Sequence, residues 1–122
     1  MVVDQRTDRL FHALSDRTRR EIVALVLVQE QSVSELARRF PMSFAAVQKH
    51  VAVLERAGLV TKQRRGRERR VSGNVEGVRE ARRGLDLLED AWRGRIARIS
   101  DLLADQQGTA EHARPAPHGG TP

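Results

Sequence analysis

The stretch SFAAVQKHVAVLERAGLV, Ser43 to Val60, decides how the rest of the chain is read. Val47, Val51 and Leu54 recur at i, i+4 and i+7, which lines one inward stripe of a helix. Ser43 offers an N-cap oxygen, and Gly58 suits the left-handed position just past a helix end. This spacing predicts a helix over Ser43–Ala57. Its other face opens with Phe44, Ala45 and Ala46 and continues with Gln48, Lys49 and His50. Few acidic residues interrupt it, although a merely solvated face often carries them. Such a face is suited to touching another molecule.

Upstream lies SVSELARRF, where Ser32 and Glu35 have the spacing of a capping box. Leu36, Ala37 and Phe40 supply its inward stripe, and Pro41 closes the helix before a short turn. Before it, Thr18 to Gln29 carries Ile22, Val23, Leu25, Val26, Leu27 and Val28. The β-branched residues in this run are compatible with a buried strand; the charged lead-in DRTRRE and the length favour a buried helix. Ser15 or Asp16 can cap it. Leu10, Phe11 and Leu14 predict a first short helix between Asp4 and Leu14.

Downstream, LVTKQRRGRERRVSG changes character. Val60, Thr61 and Val71 favour strands, and Gly66 stands where a hairpin must reverse. Lys62, Arg64, Arg65, Arg67, Arg69 and Arg70 face Glu68 as the lone acid. From about Val75 to Ala104 a long helix is expected, with Leu85, Leu88, Trp92, Ile96, Ile99 and Leu103 near heptad spacing. Such a stripe needs a partner surface, and a second copy of the same helix is the simplest one. Beyond Asp105, QQGTAEHARPAPHGGTP lacks apolar spacing and reads as a disordered tail. The expected organisation is one domain over 1–105 and a tail over 106–122.

Composition narrows the function classes. The chain has 122 residues, a net charge of +6 and no cysteine. One compact domain fits this length; a large enzyme cleft with a second domain does not. Excess arginine suits a polyanionic partner. Lack of cysteine removes thiolate metal sites and thiol nucleophiles. With no signal-peptide core and no membrane-length apolar run, a cytoplasmic location is expected. Asp86, Glu89 and Asp90 suggest surface pairs on a helix, RRGRERR lacks Walker spacing, and no short motif gathers Ser, His and Asp. No enzyme activity and no cofactor are expected.

Helix, helix, helix–turn–helix, basic hairpin and long helix is the order of a winged helix-turn-helix: mainly α, about five helices plus a two-stranded wing. In that arrangement the second helix of the pair enters the major groove of double-stranded DNA. Ala45 and Ala46 allow close approach to base edges, Gln48 has amide geometry suited to adenine, and Lys49 can reach a phosphate or guanine. Ser43 suits a phosphate, and His50 a phosphate or the helix edge. Phe44 is either a core anchor or a ring against a thymine methyl. In the wing, Lys62, Arg64, Arg65, Arg67 and Arg69 are the candidate contacts. Arg17, Arg19 and Arg20 can touch the DNA backbone or hold acidic residues within the fold.

ALSDRTRREIVALV, VSELARRFPMSFAAVQKHVAVLERAGLV and the wing RRGRERRV together resemble the ArsR/SmtB type of bacterial transcriptional repressors. The resemblance covers roughly Asp4 to Asp105. It implies a homodimer joined through its terminal helices, with Leu10, Leu85, Leu88, Trp92, Ile96, Ile99 and Leu103 as interface residues, that binds a near-palindromic operator. Metal-sensing members carry a Cys-x-Cys pair where this chain has Ser32 and Ser34, and hydroxyls are poor ligands for such ions. A second type of site uses Asp and His on the last helix, yet Val75 to Ala104 contains no histidine. A metal-independent, autorepressor-like regulator with an effector unknown or absent is therefore expected. The alternatives are a protein-interaction scaffold and a non-specific architectural DNA-binding protein.

Overall fold

The computed structural model describes residues 5–113, with side chains described through 107. Its elements are α1 (Gln5–Leu14), α2 (Arg17–Val28), β1 (Gln31–Ser32), α3 (Val33–Arg39), α4 (Phe44–Arg56), β2 (Val60–Arg65), β3 (Glu68–Gly73) and α5 (Val75–Ala113). The chain divides after Gly84 into two compact units.

In the first unit, local chemistry sets most boundaries. Asp16 caps α2 by accepting from the Arg19 amide at 3.0 Å. The last carbonyls of α1 have no partner within their own helix, and two arginines of α2 supply donors. Arg19 reaches Ala13 O at 2.8 Å and His12 O at 3.0 Å, and Arg20 reaches Leu14 O at 2.7 Å. Arg17 pairs with Glu21 at 3.1 Å. All three arginines thus have intramolecular partners, Arg17 a carboxylate and Arg19 and Arg20 main-chain carbonyls, and the apolar run after them is a helix.

Ser32 and Glu35 form the expected capping box of α3: the hydroxyl accepts from the Glu35 amide at 3.0 Å, and the Ser32 amide donates to the carboxylate at 3.3 Å. Ser43 caps α4 through the Ala46 amide at 3.1 Å. Gly58 follows α4 with φ +79°, the left-handed conformation that only glycine adopts cheaply.

The sheet has the order β1–β3–β2, and both pairings are antiparallel. In the hairpin Arg65 pairs with Glu68, which leaves Gly66 and Arg67 as a two-residue loop. Gly66 has φ +64°, as a tight hairpin of this length requires at its first position. Strand β1 is an addition to the expected two-stranded wing. Its two residues, Gln31 and Ser32, pair with Val71 and Arg70 and anchor β3 to the N-terminus of α3.

Leu10, Ile22, Leu36, Val47, Val51, Leu54, Leu59, Val60 and Val71 are buried together in one core cluster. The α4 stripe is thus the core-facing side, as its spacing predicts.

The second unit carries α5 onward from Leu85. Its apolar residues Leu85, Leu88, Trp92, Ile96, Ile99 and Leu103 are all exposed. The helix continues to Ala113, so residues 106–113 are helical and not the expected disordered tail. Gln106, Gln107, Ala110 and Glu111 are adequate helix formers without any apolar period, and a helix already begun extends more readily than a new one starts. Residues 114–122, the rest of that expected tail, lie outside the described residues. Among the described residues no helix is long and apolar enough to cross a membrane.

Candidate nucleic-acid interface

Two surfaces of the first unit carry the residues expected to contact DNA. The first is the outward side of α4, where Ser43, Phe44, Ala45, Gln48 and Lys49 are exposed and Ala46 is half-buried. Phe44 is 47% exposed, which removes the core-anchor alternative. Two turns of helix therefore present an aromatic ring, a methyl, an amide and an ammonium with no carboxylate among them. His50 takes the helix-edge alternative. Its Nδ1 lies 3.3 Å from the Arg19 guanidinium and 4.0 Å from Asp16, so the half-buried ring is committed to the start of α2 and not to the outer stripe.

The second surface is the wing. Alternation gives β2 and β3 two distinct sides. On one, buried Val60 and Val71 continue outward through Lys62 to Arg64 and Arg69, which are paired directly across the strands. Like charges in that position destabilise a sheet on their own account, so an external anion would relieve them. Lys62 itself turns to Glu55 of α4 at 3.8 Å and is only 22% exposed, which corrects its expected place among the free wing cations.

The other side of the hairpin carries Arg65, Glu68, Arg70 and Ser72. Arg70 is the centre of a network that sequence reasoning missed. Its guanidinium pairs with Glu30 at 2.9 Å, Glu35 at 3.1 Å and Glu68 at 3.3 Å, and donates to Glu30 O at 3.3 Å. Ser72 donates to Glu30 at 3.0 Å, and Arg65 reaches the same carboxylate at 3.3 Å. Arg65 thus has an internal counter-ion, a correction to its reading as a free contact. Glu30 and Glu35 stand far from the basic run in sequence, and nothing in RRGRERR marks which arginine they choose.

What remains for a polyanion is Arg64, Arg67 and Arg69, which form no ion pair with a described carboxylate. Arg64 only donates weakly to Gly66 O, at 3.4 Å. Phe44 and Gln48 of α4 line one open cleft of about 240 Å³ together with Arg67, Glu68 and Arg69 of the wing and with Ser32, Val33 and Ser34; Glu68 itself is paired with Arg70. The helix face and the hairpin tip are therefore neighbours across a groove.

The network also sets a pH response. The Arg70 and Ser72 hydrogen bonds hold the Glu30 carboxyl below its ordinary value of 4.5. Glu35 is lowered first by the Ser32 amide and then by its hydroxyl, and Asp16 first by the Arg19 amide. Arg70 is raised by the same partners, Glu30 foremost. Depressed carboxyls stabilise the fold above their unfolded values, and that contribution disappears as pH falls through the lowered folded ones. Thermal melts between about pH 7 and about pH 3 are expected to stay level down to the ordinary Glu value and then drop. Glu30→Gln should flatten that drop; a variant with the unaltered acid profile would exclude the Arg70 network as its source.

Of the expected interface residues, Leu85, Leu88, Trp92, Ile96, Ile99 and Leu103 offer free apolar surface. Leu10 does not. At 1% exposure it is spent within the core of its own chain, because the first helix turns that side towards Ile22 and Leu54 in the same cluster. Among the described residues no group of three or more His, Asp or Glu side chains gathers to hold a metal ion.

The arsR family of bacterial regulatory proteins matches residues 16–62, the span from the cap of α2 into the wing. HTH-type transcriptional regulator Rv2034 of Mycobacterium tuberculosis is 39% identical over 101 residues, which cover 83% of this chain and 91% of that one. This chain belongs to the ArsR family of transcriptional regulators. The solved structure of an ArsR-like transcriptional regulator from Rhodococcus sp. RHA1 superimposes with a TM-score of 0.71 at 35% identity, over 80% of this chain and 92% of that one. A possible ArsR-family regulator from Mycobacterium bovis, described as a homodimeric winged helix-turn-helix DNA-binding domain, shares the fold at 18% identity. It has a TM-score of 0.58, and the match covers 74% of this chain and 92% of that one. As an ArsR-family winged helix-turn-helix protein, the chain is a transcriptional regulator and not an enzyme.

Proposed function

We propose that this ArsR-family regulator is a cytoplasmic homodimeric repressor that reads a near-palindromic DNA operator through α4 and the wing, without sensing metal. The observation that carries the reading is the shared cleft: Phe44 and Gln48, from the α4 face that also exposes Ala45 and Lys49, lie beside Arg67 and Arg69 of the hairpin tip, with Glu68 of the same cleft already paired to Arg70. Phosphate contacts from Arg64, Arg67 and Arg69 position the protein, and base-edge contacts from α4 select the sequence. The exposed stripe Leu85–Leu103 is the surface for the second copy, in keeping with the homodimer described for the Mycobacterium bovis relative. Two recognition helices then meet successive major grooves about 34 Å apart. Metal independence rests on the absence of cysteine and on Ser32, whose hydroxyl is occupied in capping α3.

The test is binding to the protein's own upstream region and to scrambled DNA of equal length across a salt series. A preference of about a thousandfold that survives rising salt marks a sequence-reading regulator. Equal affinities that collapse together leave only backbone attraction, which is the architectural alternative. Gln48→Ala is expected to lower discrimination at one operator base pair by about 1–3 kcal/mol while leaving scrambled DNA unaffected. Equal weakening on both DNAs would remove Gln48 from base reading.

A further inference from the structure

On another part of the first unit, α1 and the last turn of α4 enclose a second open cleft of about 580 Å³, lined by Arg9, His12, Val53, Arg56 and Ala57. A smaller cleft shares Arg9, Arg56 and Ala57 and adds Arg6 and Gly58. Neither contains any residue of the DNA-contact set, and neither is lined by a carboxylate. We propose that this cleft binds a small organic anion, a carboxylate or phosphate monoester on a compact apolar body, and that it is an effector site of the regulator.

The charge pattern is what points to an anion. Some exposed arginines of the helices are matched, Arg17 to Glu21, Arg79 to Glu76 and Arg93 to Glu89, while Arg38, Arg82, Arg83, Arg95 and Arg98 form no ion pair with a described carboxylate; what sets Arg9 and Arg56 apart is the cleft they share. Arg6, at the edge of the smaller cleft, is paired with Glu80. Arg9 and Arg56 have no ion pair with a described carboxylate, yet they line one cavity together. Arg56 has a local explanation, since it lies in the last turn of α4, where a cation favours the helix dipole. Arg9 has none, being in the middle of α1. A helix terminus carries roughly half an elementary charge and acts only over its last turn, so two full guanidinium charges outweigh it for a ligand bridging both.

The floor supplies the rest of the specificity. Val53 is half-buried and Ala57 is buried, so an apolar ligand body has surface to cover between the two forks. The volume lies within the range of about 300–1,000 Å³ typical of small-molecule sites. A guanidinium fork binds a carboxylate or phosphate with two parallel hydrogen bonds, which fixes orientation as well as affinity. The wall formed by Val53, Arg56 and Ala57 belongs to the same rigid helix whose first two turns carry Phe44, Ala45 and Gln48. Occupancy therefore bears directly on how α4 is held against α1.

The experiment uses the full chain in buffered chloride with four probes: benzoate, phenyl phosphate, benzyl alcohol and inorganic phosphate. Calorimetry and thermal shift are read on the protein alone, so the outcome does not depend on DNA binding. At least one organic anion is expected to bind about tenfold or more tighter than both the alcohol and inorganic phosphate, and which one binds separates carboxylate from phosphate ligands. Arg9→Gln and Arg56→Gln should each weaken it about tenfold, while Arg79→Gln, of the same charge change, should not. Both site variants are on the surface, and an unchanged melting profile without probe shows that they fold. The proposal is overturned if no organic anion binds below about 10 mM, if benzyl alcohol or inorganic phosphate binds equally well, or if the site variants and Arg79→Gln behave alike.

Discussion

Alanine in place of Gly77 is expected to destabilise the protein by about 2 kcal/mol, in the range that overpacking costs. Helix propensity alone gives the opposite sign, because alanine exceeds glycine by about 1 kcal/mol inside a helix. The neighbour decides. A Cβ at position 77 would run into the carbonyl oxygen of Gly58 and lie 2.9 Å from the Gly58 carbon and 3.2 Å from the Leu59 Cα. These are backbone atoms, and their turn is already fixed on several sides. Gly58 has φ +79°, its carbonyl accepts from the Asn74 side chain at 2.9 Å, and the Asn74 amide donates to Leu59 O at 2.9 Å. Leu59 and Val60 beyond it are buried, so the turn cannot retreat without disturbing the core. Gly94 supplies the contrast: a Cβ there meets only the tip of Arg98 at 3.6 Å. Urea denaturation of both variants should move in opposite directions, with Gly94→Ala gaining up to about 1 kcal/mol. If Gly77→Ala were also stabilised, the close approach of α5 to the α4–β2 turn would be wrong.

Replacing Arg67 and Arg69 together by alanine is expected to cost about a thousandfold in operator affinity at near-physiological salt. Each phosphate contact contributes about 0.9 to the slope of log affinity against log salt. In a homodimer the two substitutions remove four contacts, so the slope should fall by about 3.6. Carried to about 0.15 M salt, that change amounts to roughly three decades of affinity. Scrambled DNA should lose a similar slope, because these residues follow the backbone and not the bases. A reduction of only about 1.8 would mean one copy per site, against the dimer reading. An unchanged slope would mean that the hairpin tip does not reach the phosphates. The same double substitution at Arg65 and Arg70 is predicted to act differently: both face Glu30, so their loss should lower thermal stability and change the salt slope far less.

Much of the fold was legible because local signals agreed with one another. The caps at Asp16, Ser32 and Ser43, the stripe Val47–Val51–Leu54 and the glycines at 58 and 66 each depend on residues within a turn or two. Agreement across such levels is what makes a sequence readable. The candidate site was only partly legible. The exposed face of α4 follows from the same periodicity that buries its stripe, so Phe44, Ala45, Gln48 and Lys49 emerge together. The wing arginines do not separate in this way. RRGRERR presents a uniform run of charge, and sorting it requires the hairpin register and the carboxylates supplied from the α2–β1 connection, α3 and α4.

The sequence by itself determined the order of helices, the reversal at Gly66, the inward and outward sides of α4 and the family. Those rest on contacts between residues close along the chain and on composition. The tertiary structure decided which cations are free. Glu30 takes Arg65 and Arg70, Glu55 takes Lys62, and Asp16 with Arg19 takes His50. It also added β1, spent Leu10 in the core and required glycine at position 77. The physical reason is the same in each case. An ion pair, a two-residue strand or a close backbone approach joins residues distant in sequence, and no periodic pattern records a partner that only folding brings within about 4 Å.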